Sequence, residues 1–160
     1  MRLQRDEYFI ELVKIVAKRA TCKRRAVGCI LVDHHNHILS TGYNGVPMGL
    51  PHCNDWKEEN GIVIYPNQCA GADASSGKSL DSCKAVHAEQ NALLQCSDVF
   101  KIQTAYVTAQ PCITCMKLLL NTSCRRIVFI EPYPHKEAVE MWLASGRKLV
   151  QFGSNNIKVD

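Results

Sequence analysis

Two short segments, His87-Ala88-Glu89 and Pro111-Cys112-Ile113-Thr114-Cys115, constrain this chain more than any other part of it. Pro111 suits the first turn of a helix, where its missing N–H costs nothing. Cys112 and Cys115 then stand at i and i+3 on one face of that turn, so both sulfurs can reach one ion. The electropositive start of a helix favours the thiolates that metal binding requires. His87 opens a second predicted helix and offers a third donor. Three protein ligands leave the fourth tetrahedral position of Zn2+ open, which is the arrangement of a catalytic site. Any fold of this chain must therefore bring residue 87 against residues 112 and 115.

Glu89 adds chemistry to the metal. In mid-helix His87 and Glu89 would point apart, but the start of a helix lets both face one ion. A carboxylate beside a zinc-activated water can take its proton, pass it to a ring nitrogen, and protonate departing ammonia. A lone C-x-x-C or H-x-E says little; both together, each opening a helix and with a strand before Pro-Cys, say much more. The competing readings are a closed structural zinc site with Glu89 idle on the surface, and a non-catalytic zinc module used for interaction.

The chain of 160 residues is read as one domain, residues 1–160, with one core. Hydrophobic residues make up 46% and charged ones 21%, as in a soluble globular protein. No run of eighteen apolar residues offers a membrane span. The N-terminal MRLQRDEYFIELVKIVAKR lacks the apolar core and cleavage site of a signal peptide, so the expected location is cytoplasmic. Nine cysteines, an odd number, argue for metal binding over a disulfide framework. The net charge of +4 suits an anionic substrate without demanding nucleic acid.

Apolar spacing predicts a helix over Tyr8–Arg19, a hairpin of Val27–Val32 and His37–Tyr43, and a helix over His87–Cys96. A strand at Ala105–Ala109, a helix at Cys112–Asn121, a strand at Arg126–Ile130, a helix at Lys136–Ala144 and a strand at Lys148–Phe152 complete the pattern. An opening hairpin followed by alternating strands and helices implies an α/β layered domain with a mixed five-stranded sheet between helices. Residues 44–84 lose periodicity, and an irregular stretch of that length needs something to tie it down. His34, His35 and His37 read as solvated turn residues, His135 as the start of the last helix, and Trp56 and Trp142 as core or interface packing residues.

The H-x-E…P-C-x-x-C pairing is the known signature of zinc-dependent nucleobase deaminases, in which hydroxide attacks C4 of cytosine or C6 of adenine. Further blocks narrow the resemblance. Thr21-Cys22-Lys23-Arg24-Arg25-Ala26-Val27-Gly28, Gly42-Tyr43-Asn44-Gly45-Val46-Pro47-Met48-Gly49, His87-Ala88-Glu89-Gln90-Asn91-Ala92 and the Pro-Cys block resemble successive blocks of the deoxycytidylate deaminases. The likeness runs from about Tyr8 to Phe152. It implies a cytidine-deaminase-like three-layer fold and hydrolysis of dCMP to dUMP and ammonia, supplying thymidylate synthesis. It also implies a homo-oligomer, with a hexamer favoured, regulated by dCTP and dTTP effectors together with Mg2+.

Carried onto this chain, the resemblance makes His87, Cys112 and Cys115 the ligands of the catalytic zinc and Glu89 the proton shuttle. Asn44 looks like the asparagine that reaches the sugar, though it also suits a Tyr-Asn-Gly bend. Arg24, with Arg19 behind it, looks like the source of phosphate contacts, and an arginine fork suits a monophosphate. Tyr133 sits where the family places a tyrosine near the substrate, against the plain reading of a Glu-Pro-Tyr-Pro turn. Cys22, Cys53, Cys69 and Cys83 bracket the irregular segment and could close a second, structural zinc site, with His52 an alternative to Cys69. The plain reading of these four is ordinary thiols, and it is the preferred one for Cys29, Cys96 and Cys124.

Two substrate alternatives stand beside dCMP. A polynucleotide deaminase, such as one acting on tRNA adenosine, shares the zinc blocks. In that group a short loop joins the asparagine turn to the histidine block, whereas 43 positions separate Asn44 from His87 here. The chain also lacks an extensive basic face, so no polynucleotide partner is expected. The second alternative is dCTP, with or instead of dCMP, which the arginine cluster accommodates equally.

Overall fold

The computed structural model describes residues 1–75, 78, 82–133 and 135–154. Its centre is a mixed five-stranded sheet. The strands are β1 (Gly28–Val32), β2 (Ile38–Tyr43), β5 (Thr104–Ala109), β6 (Arg126–Glu131) and β7 (Lys148–Gln151), in the order β2-β1-β5-β6-β7. β1 runs antiparallel to β2 and β5, while β5, β6 and β7 are parallel. The helices are α1 (Arg5–Ala17), α2 (Ala88–Gln95), α3 (Ile113–Leu120) and α4 (Lys136–Ala144).

Alternation along the strands explains the layers. Cys29 and Leu31 of β1, Ala105 and Val107 of β5, and Ile127 and Phe129 of β6 face one core with Ala88, Ala92, Met116, Leu119, Ala138 and Trp142 from α2, α3 and α4. Their neighbours Ile30, Val32, Tyr106 and Val128 face the opposite core with Phe9, Ile10 and Val13 of α1. Successive strand residues point to opposite faces, so a sheet covered on both sides is apolar throughout. The parallel pairs require crossovers, and α3 and α4 supply them on one face. The expected three-layer α/β architecture is the one observed.

Several boundaries differ from expectation. α1 begins at Arg5, three residues before Tyr8, because the Gln4 N–H donates to Glu7 Oε2 at 3.2 Å and satisfies the first turn. Pro111 stands outside α3, one residue before its N-cap Cys112, whose extended backbone (φ −68°, ψ 170°) starts the helix. Residues 44–84 are not wholly irregular: Lys57–Glu59 (β3) and Ile62–Ile64 (β4) form a two-stranded antiparallel hairpin. Trp142 is buried, but Trp56 is exposed and packs in neither core. His34, His35 and His37 are exposed at the β1–β2 turn, and His135 caps α4 by accepting from the Ala138 N–H.

Among the described residues no helix is long and apolar enough to cross a membrane.

Candidate active site

The carboxyl end of parallel strand β5 leads through Gln110 and Pro111 into α3, and α2 starts beside it. At such strand ends open α/β sheets place their ligand sites. His87 is the N-cap of α2, with extended backbone (φ −70°, ψ 155°), and its N–H donates to Gln90 Oε1 at 2.9 Å. Leaving the chain from non-helical backbone, the His87 ring turns toward α3. Its Nδ1 lies 3.5 Å from Cys112 Sγ and 3.4 Å from Cys115 Sγ.

These three donor atoms all lie within 4.8 Å of one another, alone among groups of three such residues described. A tetrahedral Zn2+ with ordinary Zn–N and Zn–S bonds sets N···S edges of roughly 3.5–3.6 Å. The donor set and its spacing therefore fit zinc. A hydrogen bond with Cys115 and another with His87 pull the Cys112 thiol down to about 4, while the same contact and burial push Cys115 up. The His87 imidazole is raised by its bond with Cys112.

Glu89, the second residue of α2, is buried against Cys115. Burial pushes its carboxyl up to about 6. A carboxyl in this range both accepts and gives protons near neutrality.

His87, Glu89 and Cys112 line a cavity together with Cys22, Arg24, Arg25, Asn44, Cys83, Gln110 and Tyr133. Arg24 reaches it from the loop between α1 and β1. One of its terminal nitrogens, Nη2, donates to the Ser75 carbonyl, while Nη1 is buried with no hydrogen-bond partner among the described residues. Neighbouring Arg25 pairs with Glu131 at the end of β6. Asn44 is buried and lines the cavity, but its side chain already serves the backbone: Oδ1 accepts from Val27 at 2.8 Å and Nδ2 donates to the Arg25 carbonyl at 2.7 Å. Tyr133 is half-buried at the cavity wall. Arg19 is not brought to the site. It lies in solvent just past the C-cap of α1, its N–H donating to the Val16 carbonyl.

The other cysteines gather nearby. Cys53 and Cys69 are buried with their sulfurs 3.8 Å apart, and Cys83 packs against them. Cys69 interacts electrostatically with Cys22 and Cys83. A separation of about 3.8 Å is the edge expected for two thiolates on one tetrahedral zinc. The four do not converge as tightly as His87, Cys112 and Cys115 do. His52 instead faces Asp55, with Nδ1 3.6 Å from Oδ1, at the exposed surface. Cys29 and Cys124 are buried in the protein interior, and Cys96 is half-buried.

Sequence reasoning passed over two cavity residues. Arg25 stands out only as a member of the Thr21–Gly28 block, and Gln110 carries no motif beyond standing next to Pro-Cys.

A three-layer α/β fold with a three-ligand centre at a strand end, and a buried carboxylate beside it, is that of a zinc-binding deaminase domain. Residues 3–131 match the family described as the cytidine and deoxycytidylate deaminase zinc-binding region. A deoxycytidylate deaminase of Schizosaccharomyces pombe is 35% identical over 150 residues, covering 92% of this chain and 44% of the relative. One from Mycobacterium phage D29 is 37% identical over 130 residues, covering 78% of this chain and 92% of the relative. The dCMP deaminase of cyanophage S-TIM5, in its apo form, shares the fold with a TM-score of 0.67 at 21% identity, covering 94% of this chain and 99% of that one. The chain belongs to the cytidine and deoxycytidylate deaminase family, and the S. pombe and phage D29 relatives within it are named deoxycytidylate deaminases. It spans less than half the length of the S. pombe and Saccharomyces cerevisiae relatives, at 44% and 39%.

Proposed function

We propose that the chain hydrolyses dCMP to dUMP and ammonia, the supply reaction for thymidylate synthesis. The observation that carries this reading is the convergence of His87, Cys112 and Cys115 beside buried Glu89, at a cavity whose wall includes Arg24. His87, Cys112 and Cys115 hold the zinc, which supplies Lewis-acid activation of water at neutral pH. Glu89 takes one proton from the attacking water and passes it to the ring nitrogen next to the amino-bearing carbon, then takes the second from the new hydroxyl on that carbon and gives it to the leaving amine as the carbonyl forms. Burial keeps water from competing for that carboxyl. Arg24 receives the phosphate, and its unpartnered Nη1 supports this role, since a buried guanidinium nitrogen left without an acceptor is costly until an anion arrives. Asn44 meets the sugar with whatever bonding capacity the backbone leaves it, and Tyr133 forms the facing wall.

A second, structural zinc on Cys22, Cys53, Cys69 and Cys83 belongs to the same reading; the 3.8 Å pair of sulfurs supports it. So does homo-oligomerisation, with a hexamer favoured, and regulation by dCTP and dTTP with Mg2+. Exposed Met48, Leu50, Trp56, Ile62 and Val63, all in one segment, are apolar surface available to a second copy. Turnover of dCTP alongside dCMP is the alternative that the arginine loop also accommodates.

The test is loss of cytosine absorbance with dCMP, dCTP, cytidine and a single-stranded oligonucleotide, by zinc-loaded protein, with and without dCTP and dTTP effectors. The reading expects dCMP to be turned over with the highest kcat/KM. Turnover of none of them, or of the oligonucleotide alone, overturns it.

A further inference from the structure

Gln110 stands between the last residue of β5 and the Pro111-Cys112 start of α3, is only 6% exposed, and lines the cavity. It is tied twice to one segment 21 to 23 positions away. Its N–H donates to the Glu131 carbonyl at 2.8 Å, and its side-chain Nε2 donates to the Tyr133 carbonyl at 3.0 Å. The first bond continues the β5–β6 ladder. The second reaches past the end of the sheet, where no ladder exists.

That segment needs an outside anchor. Tyr133 lies between Pro132 and Pro134, and neither proline has an N–H to give. Among the described residues the Tyr133 carbonyl takes two bonds, from the His135 N–H at 2.8 Å and from Gln110 Nε2. Only the NH2 end of a carboxamide can face a carbonyl, so the orientation of Gln110 is determined. A buried donor of this kind is expensive to leave unsatisfied, which makes the bond a rigid link rather than a passing contact.

We infer that Gln110 is a positioning residue that sets Tyr133 at the substrate cavity, so that the strand carrying the chain into the metal ligands also fixes the facing wall. The inference rests on the proposed reading of Tyr133 as a substrate neighbour. It assigns no chemistry to Gln110 itself; the effect travels through the Tyr133 carbonyl.

Gln110→Met keeps the length and loses the donor, while Gln110→Glu keeps the shape and sets an acceptor against the carbonyl. Loss of one such bond raises KM for dCMP about tenfold, with kcat within about threefold and zinc content unchanged. In a Tyr133→Ala background the same Gln110 change has little further effect, because the two act as one unit. A readout without substrate is available in fluorotyrosine-labelled protein: the 19F resonance assigned to Tyr133, by its absence in Tyr133→Phe, shifts or broadens in Gln110→Met. Unchanged KM and an unmoved Tyr133 resonance in both Gln110 variants overturn the inference, as do KM effects that simply add to those of Tyr133→Ala. Absence of dCMP turnover by the unaltered protein sinks the proposed function instead, and the 19F comparison still decides whether Gln110 holds Tyr133.

Discussion

Gly42 of β2 lies so close to Ala88 of α2 that a Cβ on Gly42 would stand 2.2 Å from the Ala88 carbonyl oxygen and 2.3 Å from the Ala92 nitrogen. The helix bearing His87 and Glu89 rests directly on the strand there. Ser40 Oγ, donating to the Ala92 carbonyl at 2.7 Å, and Asn91 Nδ2, donating to the Tyr43 carbonyl at 2.8 Å, fasten the same contact.

Gly42→Ala must therefore push α2 away, and the obstacle is backbone. Overpacking of this kind costs about 1–3 kcal/mol. Thermal unfolding should show the loss, and metal analysis should show weakened zinc retention because His87 moves with the helix. A variant with unchanged melting and full zinc would show that the contact is looser than described.

Asp6 links α1 to the sheet. Its carboxylate accepts from Arg126 Nη1 and Nη2 at 2.8 and 2.5 Å and from the Tyr106 hydroxyl at 2.8 Å. The bond from Arg126, against partial burial, holds the Asp6 carboxyl below its usual value. A lowered folded-state pKa means stability that is present above the unfolded value, about 4, and is lost as pH falls through the folded one. Asp6→Asn should cost about 2 kcal/mol at pH 7 in denaturant unfolding, and the gap from the unaltered protein should close below pH 4. A gap that persists undiminished at pH 3 would assign it to packing.

Arg24→Gln removes the charged donor but keeps a hydrogen-bonding side chain. Loss of a charge-assisted bond predicts a rise in KM for dCMP of about tenfold or more, with deoxycytidine kinetics scarcely altered. Equal effects on both substrates would place Arg24 away from the phosphate.

Metal analysis should find two zinc per chain, and Cys53→Ser should lose one of them while the catalytic site keeps the other. That variant should also become easier to cleave within residues 44–75, the stretch that a second zinc would tie down. One zinc per chain, together with unaltered proteolysis of Cys53→Ser, would leave these thiols as packing residues.

The layered fold was legible because strands buried on both faces are apolar throughout and helices declare themselves by one face. Val27–Val32, Ala105–Ala109 and Arg126–Ile130 are of this kind. The β3–β4 hairpin was passed over because Lys57-Glu58-Glu59 is charged and exposed, yet Asn60-Gly61 was the clue. Both turn residues have positive φ, at 51° and 76°, as the tight hairpin turn requires. The convergence of His87, Cys112 and Cys115 beside Glu89 was legible because their types and spacing state a chemistry. Arg19 could not be told from Arg24 by charge alone; only the end of α1 at Ala17 leaves one in solvent and turns the other into the cavity. Gln110 was invisible because its partner, the Tyr133 carbonyl, is set by the register of β5 on β6.

The central claim is that Glu89 moves the protons at a zinc held by His87, Cys112 and Cys115. Glu89→Gln keeps the volume of the buried side chain and removes the titrating group. Zinc content and dCMP deamination rate, measured on the same preparations, decide the matter. The account predicts unchanged zinc and a rate lower by about 10²–10⁴-fold. A fully metallated Glu89→Gln protein that deaminates dCMP at the unaltered rate would contradict it.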